Sequence, residues 1–252
     1  MRARLPFISA SFWRPSVDGV GMVDLEGPAE NLRRVSCLVL VSHRGTIFHE
    51  GNLVDFSTEQ TDVLILGSGG AGLLAALHAY DSNPDLNITI AVKGLMGKCG
   101  CTRMVQGGYN VALSASDSVE RHFMDTIAGG KWLPNQDLAW KLCETAVKRV
   151  HELENELGCF FDREADGSLH HKAFAGQTAD RTVHKGDLTG IEIINRLMEQ
   201  VLARPINKLE EHRALSLIPS EDGTGISGVL LVDMRTGLMK LIRAKAILMA
   251  TG

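Results

Sequence analysis

A run of apolar residues that leads directly into a glycine-rich turn, TDVLILGSGGAG at Thr61–Gly72, constrains the fold of this chain more than any other stretch. The residues Val63–Leu66 show no polar alternation, which predicts a short strand buried on both faces of a parallel sheet. Gly67, Gly69 and Gly72 have the G-x-G-x-x-G spacing, which allows a tight turn, close approach of a pyrophosphate and close packing of helix on strand. The stretch therefore predicts a phosphate-binding strand–turn–helix unit.

The residues after the turn predict the helix that such a site requires. Apolar side chains recur at helical spacing from Gly70 to about Ser82, and Pro84 marks the end. The unpaired N–H groups and partial positive charge at the helix N-terminus would bind an anion without a cationic side chain. A second apolar run, Ile88–Val92, predicts the next strand and argues against a glycine turn without a ligand. The acidic residue that usually follows this strand and binds a ribose hydroxyl is absent, and Lys93 stands there.

The composition indicates a globular protein. The chain has 252 residues, of which 44% are hydrophobic, enough for one large domain or two small ones. A net charge of -4 gives no indication of a nucleic-acid partner, and five cysteines at scattered spacing indicate a reducing compartment rather than a disulfide framework. No apolar run approaches the roughly 18 residues needed to span a bilayer, and no secretory signal is recognised, so any membrane attachment is expected through partners.

Residues 1–60 differ from the rest of the chain. They contain short apolar runs that are compatible with a hairpin, but neither a helix pattern nor recognisable chemistry. Two interpretations remain open: a loosely ordered extension, or upstream sequence joined to the protein by a wrongly chosen start. We expect folding and cofactor binding to begin near Thr61, which gives an N-terminal extension at 1–60 and one domain at 61–252.

Two groups of potential metal ligands lack the spacing of a metal site. Cys99 and Cys101 have no second cysteine pair, and His170, His171 and His184 match no ligand pattern. The sequence therefore predicts no metal.

The segment after the second predicted strand, Lys93–Leu113, is rich in glycine. Such backbone either turns repeatedly in solvent or lies against a flat partner. Apolar residues such as Met104, Val105 and Tyr109 are unusual in a solvated linker, so we interpret this segment as a loop that packs on a ligand.

Two amphipathic helices are predicted in the second half of the chain. The first spans Asp137–Leu157, with Leu138 and Leu142 in its apolar stripe and charged residues facing water. The second spans Ile191 to about Leu202.

The sequence DLTG and three apolar runs complete the prediction. Asp187 or Thr189 is expected to cap the second helix. The runs at 226–234 and 238–242 pair naturally as a hairpin, and 245–250 is expected to form a further buried strand.

The chain from about Thr61 to its end resembles the flavoprotein subunits of succinate dehydrogenase, fumarate reductase and L-aspartate oxidase. The matching pieces include DVLILGSGGAGLLAAL, CTRMVQGGYNVAL, DTIAGGKWLPNQDLAWKLCETA and AKAILMATG. The resemblance covers about three quarters of this chain but only the front part of such a flavoprotein. It implies an α/β fold class: a Rossmann-like FAD-binding domain with a parallel sheet, helices and a β-meander, incomplete at its C-terminus and truncated before the capping and catalytic regions.

The resemblance also implies FAD-binding roles for individual residues. The glycine turn would hold the pyrophosphate, and the residues after the second strand would lie by the adenosine ribose. The Gln-Gly-Gly segment would line the isoalloxazine, a later strand edge would meet the adenine, and the final Ala-Thr-Gly would begin a second glycine motif. Catalytic side chains lie downstream in the family, so none is assigned. The implied cofactor-binding residues are Gly67, Ser68, Gly69, Gly70, Ala71, Gly72, Val92, Lys93, Gly94, Cys101, Thr102, Gln106, Gly107, Gly108, Ala214, Ala250, Thr251 and Gly252.

One departure from the family pattern concerns the attachment of FAD. Many respiratory members bind FAD covalently through a histidine five residues before the glutamine of Gln-Gly-Gly, and that position is Cys101 here. No histidine occurs between His78 and His122. We therefore predict non-covalent FAD, as in the aspartate oxidase branch, and interpret Cys101 as a small packing residue rather than a reactive thiol.

Three functions remain open. The chain is expected to be the FAD-binding part of a flavoprotein that interconverts succinate and fumarate by hydride transfer through FAD. The alternatives are an L-aspartate oxidase or related flavoprotein reductase, and a catalytically silent fragment; a nicotinamide dehydrogenase fits less well because the strand-end acid is absent. By analogy, the expected partners are a dicarboxylate substrate, a membrane anchor and an iron–sulfur subunit, with the chain in the cytoplasm at the inner face of the plasma membrane. The truncated chain alone is expected to be inactive.

Overall fold

A computed structural model of the protein describes residues 56–252 in full and, before them, only the backbone of short strand segments. Most of residues 1–60, interpreted above as an extension, therefore lie outside the described residues. The helices are α1 (Gly70–Ser82), α2 (Cys101–Met104), α3 (Val119–Gly129), α4 (Gln136–Asn155) and α5 (Thr189–Leu202). The strands are β1 (Arg14–Pro15), β2 (Gly21–Met22), β3 (Leu40–Val41), β4 (Thr46–His49), β5 (Asn52–Leu66), β6 (Ile88–Ala91), β7 (Tyr109–Asn110), β8 (His171–Lys172), β9 (Thr182–Val183), β10 (Asn207–Leu209), β11 (His212–Pro219), β12 (Ile226–Asp233) and β13 (Met239–Met249).

The chain divides into two compact units. The first comprises Met1–Gln60 and Arg213–Arg243, and the second comprises Thr61–His212 and Ala244–Gly252. The division into residues 1–60 and 61–252 that we inferred from the sequence stays a proposal.

The second unit is built on a sheet with the strand order β10–β6–β5–β13. Strand β5 runs parallel to β6, in a register that pairs Leu66 with Ala91, and β6 runs parallel to β10. Because the two strands end side by side, the turn after Leu66 and the residues after Ala91 lie at the same edge of the sheet. The α/β fold with a largely parallel sheet, predicted from the sequence, is confirmed.

The core of the second unit lies between this sheet and its helices. Ile65 and Ile90 from the strands, Leu73 and Leu77 from α1, and Leu197 from α5 are each at most 1% exposed. Helix α1 has the predicted bounds, because its apolar face and the following Pro84 mark both its course and its end.

The apolar stripe predicted for α4 is partly wrong. Leu138 and Leu142 are 72% and 58% exposed, whereas Ala139 and Cys143 are buried. In this first half of the helix, the residues that pack inward stand one position after the predicted leucines. Small side chains, rather than leucine, fill the space there.

A three-stranded antiparallel sheet, β7–β9–β8, adjoins the segment after α2. Tyr109 pairs with Val183 and Asn110 pairs with Thr182. This small sheet fixes the chain directly after the glycine pair Gly107-Gly108.

The first unit contains the predicted β-meander. Strand β12 is antiparallel to β13, with Gly228 opposite Arg243, and β11 lies beside β12. The prediction of two strands at 238–242 and 245–250 is wrong, because β13 is one continuous strand and no glycine or proline interrupts it. The end of β13 is also not buried as predicted, since Leu248 and Met249 are 42% and 62% exposed.

Each helix that the structure describes is too short or too polar to cross a membrane.

Candidate functional site

The turn after β5 requires its first glycine. The Gly67 amide donates a 2.8 Å hydrogen bond to the Ala91 carbonyl oxygen, which holds the turn against β6. Gly67 has a φ of 110°, and a Cβ at this position would overlap the carbonyl oxygen of Ala250. Only glycine fits this conformation and this contact.

The third glycine of the motif is required by packing within the turn. A Cβ at Gly72 would overlap the carbonyl oxygen of Gly67. Gly69 differs, because its φ is an ordinary −73° and a Cβ there would meet only Thr102 Oγ1, at 3.8 Å. The backbone of Gly69 therefore has open space beside it, whereas Gly67 and Gly72 are enclosed by the protein.

The N-terminus of α1 has the electrostatic properties of an anion site. Its N-cap residue, Gly69, provides no side-chain hydrogen bond, and the first turn of α1 contains no acidic residue. Ser68 is 3% exposed, and its hydroxyl has no hydrogen-bond partner among the residues that the structure describes. Because an unpaired buried hydroxyl is costly and the helix dipole is positive at this end, a phosphate group fits these residues.

The residues after β6 are held by backbone hydrogen bonds. Val92 is buried, with its amide bonded to the Leu209 carbonyl oxygen (2.9 Å) and its carbonyl oxygen bonded to the His212 amide (3.0 Å). Lys93 is exposed, and the Gly94 carbonyl oxygen accepts a 3.0 Å hydrogen bond from the Glu211 amide.

Sequence reasoning missed Glu211 as a neighbour of this edge. Glu211 has a φ of 56°, which is unusual for a residue other than glycine. It lies next to Glu210, whose carboxylate accepts a 2.7 Å hydrogen bond from the Met96 amide. One acidic side chain, that of Glu210, thus contacts the segment after β6 from the turn between β10 and β11, although the residue directly after β6 is not acidic. No signal in the sequence links these residues to β6, since more than a hundred residues separate them.

The predicted flavin segment begins with α2 and continues to Gly108. Cys101 and Gln106 are exposed, and Thr102 Oγ1 accepts a 3.2 Å hydrogen bond from the Gly70 amide. A Cβ at Gly107 would lie 3.1 Å from the ring of Phe174.

The last glycine of this segment lies against β9. Gly108 has a φ of 130°, and a Cβ there would lie 2.6 Å from the Val183 carbonyl oxygen. A side chain at this position would overlap β9, and the positive φ is one that other residues rarely adopt. Only glycine therefore fits at position 108.

The N-terminus of α5 contacts the same segment. The Gly190 amide donates a 2.9 Å hydrogen bond to the Val105 carbonyl oxygen, and a Cβ at Gly190 would overlap the Thr102 carbonyl oxygen. Thr189 is fully buried, and α5 has no side-chain N-cap, so the expected capping by Asp187 or Thr189 is wrong. The DLTG sequence marks the start of the helix, but nothing in it indicates contact with residues 102–106.

A buried ion cluster supports the sheet behind Gly108. Arg181 is 1% exposed and binds both oxygens of Asp117 at 2.8 and 2.9 Å, and Asp125 at 2.6 Å. Burial alone would raise the pKa of Asp117, but the hydrogen bonds and charge of Arg181 outweigh burial and hold this pKa below its usual value. The cluster joins the residue directly before β9 to α3 and to the loop before α3.

The histidine-rich segment forms a hydrogen-bonded pair. His170 Nδ1 and His184 Nε2 lie 2.6 Å apart, and burial lowers the pKa of His184. Within residues 56–252, no three histidine, cysteine or acidic side chains are grouped so that they could hold a metal ion.

The structure brings part of the predicted site together. The glycine turn, Thr102, Ala250 and Thr251 adjoin one another, and Val92 to Gly94 follow the neighbouring strand. Ala71 and Gly252 are exposed at the edge of this group. Ala214 is exposed on β11 and belongs to the first unit. The cofactor-binding roles of all these residues stay predictions.

Comparison with known proteins identifies the family. A family model described as an FAD binding domain matches residues 62–252. An uncharacterized FAD-dependent oxidoreductase of Methanocaldococcus jannaschii is 42% identical over 194 residues, an alignment that covers 77% of this chain and 35% of that protein. One chain of the fumarate reductase (CoM/CoB) of Methanothermobacter marburgensis is 40% identical over 196 residues, with 77% and 35% covered.

Solved structures agree with these relatives. The FrdA chain of Escherichia coli quinol fumarate reductase superposes with a TM-score of 0.73 at 34% identity, and covers 78% of this chain and 33% of that one. Mycobacterium smegmatis Sdh1 gives a TM-score of 0.72 at 34% identity, with 78% and 34% covered. The chain thus spans about a third of the length of the proteins it matches. Its cofactor is FAD, and it belongs to the FAD-binding domain family of flavin-dependent oxidoreductases that includes the flavoprotein subunits of fumarate reductase and succinate dehydrogenase.

Proposed function

We propose that this chain binds FAD non-covalently as the front part of an enzyme that interconverts succinate and fumarate. The observation that carries the proposal is the α1 N-terminus, where an open glycine N-cap adjoins the buried, unpartnered hydroxyl of Ser68. A pyrophosphate would accept hydrogen bonds from this turn and would satisfy the serine hydroxyl. The residues of the predicted adenosine and isoalloxazine regions both follow this turn along the chain.

Bound FAD would supply the hydride acceptor or donor for oxidation or reduction of a carbon–carbon bond. The chain's own residues would bind and orient it. The glycine turn would neutralise phosphate charge, Val92 to Gly94 would line the ribose, and the backbone of Gln106 to Gly108 would lie along the isoalloxazine. The side chains that bind the dicarboxylate and transfer protons are proposed to lie outside these 252 residues.

The non-covalent state is tested by precipitating the FAD-loaded protein with acid. We expect all the flavin to remain in the supernatant, because Cys101 stands where many respiratory members have the histidine that attaches FAD. Flavin that stayed with the pellet of the wild type but not of Cys101→Ser would show a cysteinyl bond and overturn this part of the proposal.

The substrate and partners are proposed for the intact protein. We propose succinate or fumarate as the substrate, with a membrane anchor and an iron–sulfur subunit as partners at the cytoplasmic face of the plasma membrane. Turnover of succinate with an artificial acceptor, or of fumarate with a reduced dye, tests this directly. Failure of an intact, FAD-loaded protein to turn over either dicarboxylate would refute it.

A second candidate is an L-aspartate oxidase-like activity, and the observation that favours it is Cys101 in place of the attachment histidine. The same preparation, assayed with L-aspartate, separates the two functions. Turnover of L-aspartate without turnover of succinate would replace the first proposal with the second.

A further inference from the structure

We propose that Thr189 is a positioning residue for the flavin segment, and that its hydroxyl fixes the backbone of Gln106 from the N-terminus of α5. This inference rests on the proposed function, because the segment it fixes is the one that would lie along the isoalloxazine. It goes beyond the proposed contacts with FAD, since Thr189 is not one of the residues proposed to contact FAD and acts on Gln106.

The first observation is the direction of the two hydrogen bonds of Thr189. Its Oγ1 accepts a 3.0 Å hydrogen bond from the Lys185 amide, which leaves the hydroxyl proton free to point elsewhere. The same oxygen lies 3.4 Å from the Gln106 carbonyl oxygen, and the hydroxyl donates to it. Thr189 therefore links the turn before α5 to the first residue of Gln-Gly-Gly.

The second observation is the use of an unpaired helix amide. The first amides of a helix have no partner within the helix, and α5 has no side-chain N-cap to satisfy them. The Gly190 amide instead donates to the Val105 carbonyl oxygen at 2.9 Å. The contacts of Thr189 and Gly190 thus hold two successive carbonyl groups, those of Val105 and Gln106, on the N-terminus of α5.

The third observation is steric. A Cβ at Gly190 would overlap the Thr102 carbonyl oxygen and lie 2.9 Å from that of Val105, so the two backbones are in direct contact. Both Thr189 and Gly190 are buried, and Ile194 and Leu197 anchor the following turns of α5 in the core. The side chain of Gln106 is exposed, so its backbone is fixed through these contacts rather than through its own packing.

The test compares three variants of the full chain. In Thr189→Val, the valine side chain has nearly the shape of threonine but lacks the hydroxyl. Thr189→Ser keeps the hydroxyl, and Thr145→Val is the control. Thr145 is a half-buried residue of α4 whose hydroxyl donates to the Lys141 carbonyl oxygen, and it is not among the predicted cofactor residues.

The first readout is amide hydrogen exchange without flavin. In Thr189→Val we expect the Val105 and Gly190 amides to exchange about five- to tenfold faster, the change that follows the loss of one or two hydrogen bonds. In Thr189→Ser and Thr145→Val these amides should match the wild type, and the α1 amides should match it in all variants. Unchanged exchange of Val105 and Gly190 in Thr189→Val, or faster exchange in Thr189→Ser to the same extent, would overturn the proposal.

The second readout is the flavin itself. We expect Thr189→Val to bind FAD at least about fivefold more weakly and to shift the visible spectrum of the bound flavin, with Thr189→Ser restoring both. If the wild type binds no FAD, the proposed function fails, while hydrogen exchange still decides the role of Thr189. If the wild type and Thr189→Val bind FAD equally and give identical spectra, the positioning role is refuted and the proposed function stands.

Discussion

The backbone amide of Gly70 donates a 3.2 Å hydrogen bond to the hydroxyl oxygen of Thr102, 32 residues later in the chain. The bond joins the first turn of α1, where we propose that the pyrophosphate binds, to the segment proposed to contact the isoalloxazine. The methyl group of Thr102 also lies near Gly70, since a Cβ at Gly70 would be 3.1 Å from it. Thr102 therefore connects two parts of the candidate site.

Replacement of Thr102 by valine should destabilise this connection. The Gly70 amide loses its acceptor in Thr102→Val, and we expect the free energy of unfolding to fall by about 0.5–1.5 kcal/mol. Thr102→Ser keeps the acceptor and should lose less, through the missing methyl group alone. Urea unfolding without FAD measures both, and equal losses in the two variants would contradict a role for the hydroxyl.

Replacement of Gly67 by alanine should destabilise the fold strongly. The variant combines a positive φ with an overlap between Cβ and the Ala250 carbonyl oxygen, so we expect a loss of more than about 3 kcal/mol. Gly167→Ala is the matched control, because Gly167 also has a positive φ, of 87°, but no atom of residues 56–252 lies within 4 Å of a Cβ there. The control should lose only about 1–2 kcal/mol. Similar unfolding midpoints for the two variants would show that the turn can relax.

Removal of the Arg181 guanidinium should reverse the pH dependence of stability. In the wild type the pKa values of Asp117 and Asp125 are held below their usual range, although burial alone would raise them. For Asp117 the hydrogen bonds of Arg181 and the Ser118 amide outweigh burial, and for Asp125 those of the Thr178 amide, Arg181 and the Thr178 hydroxyl do. Groups with a depressed pKa stabilise the fold above their unfolded pKa of about 3.9, and this stability is lost as the pH falls through the folded pKa. The wild type should thus weaken below about pH 4.

In Arg181→Met the two carboxylates remain buried without their cationic partner and keep only hydrogen bonds from Ser118 and Thr178, so burial should raise their pKa values. A raised pKa destabilises the fold as the pH rises, and the variant should be more stable at pH 5 than at pH 7. At pH 7 we expect a loss of about 3–5 kcal/mol. Arg196→Met is the control, because the ion pairs of Arg196 lie on the surface of α5 and should contribute less than about 1 kcal/mol. Parallel pH profiles of urea midpoints for Arg181→Met and the wild type would refute this account.

Local patterns in the sequence predict the strand–turn–helix unit. The glycine spacing, the apolar periodicity of α1 and Pro84 each act over a few residues, so α1 begins and ends where predicted. The same patterns divide strand β13 in two, because Arg243 and Ala244 separate its two apolar runs, although its backbone continues without a break.

Contacts that depend on the tertiary fold could not be predicted. The inward stripe of α4 uses Ala139 and Cys143, which the leucine periodicity conceals. Thr189 and Gly190 contact the flavin segment from more than eighty residues away, and no local pattern encodes that distance. The ion pair between Arg181 and Asp117 is likewise set by the fold, because neither residue stands in a recognisable motif.

An FAD titration of the full chain and of Gly69→Asp tests the central claim most directly. Gly69 has a φ of −73°, and a Cβ there meets only Thr102 Oγ1 at 3.8 Å, so the backbone accepts aspartate. Aspartate is a favourable N-cap and should maintain or raise the stability of α1, but its carboxylate would occupy the α1 amides and repel a phosphate.

We predict that the wild type binds FAD reversibly, with a shifted flavin absorbance spectrum, and has no affinity for NAD. We predict that Gly69→Asp keeps the urea midpoint of the wild type, but that its affinity for FAD is at least about tenfold lower. A wild-type chain that stays colourless after FAD addition and desalting would contradict FAD binding by this chain. Equal FAD affinity of the wild type and a folded Gly69→Asp would show that the cofactor phosphate does not bind at the N-terminus of α1.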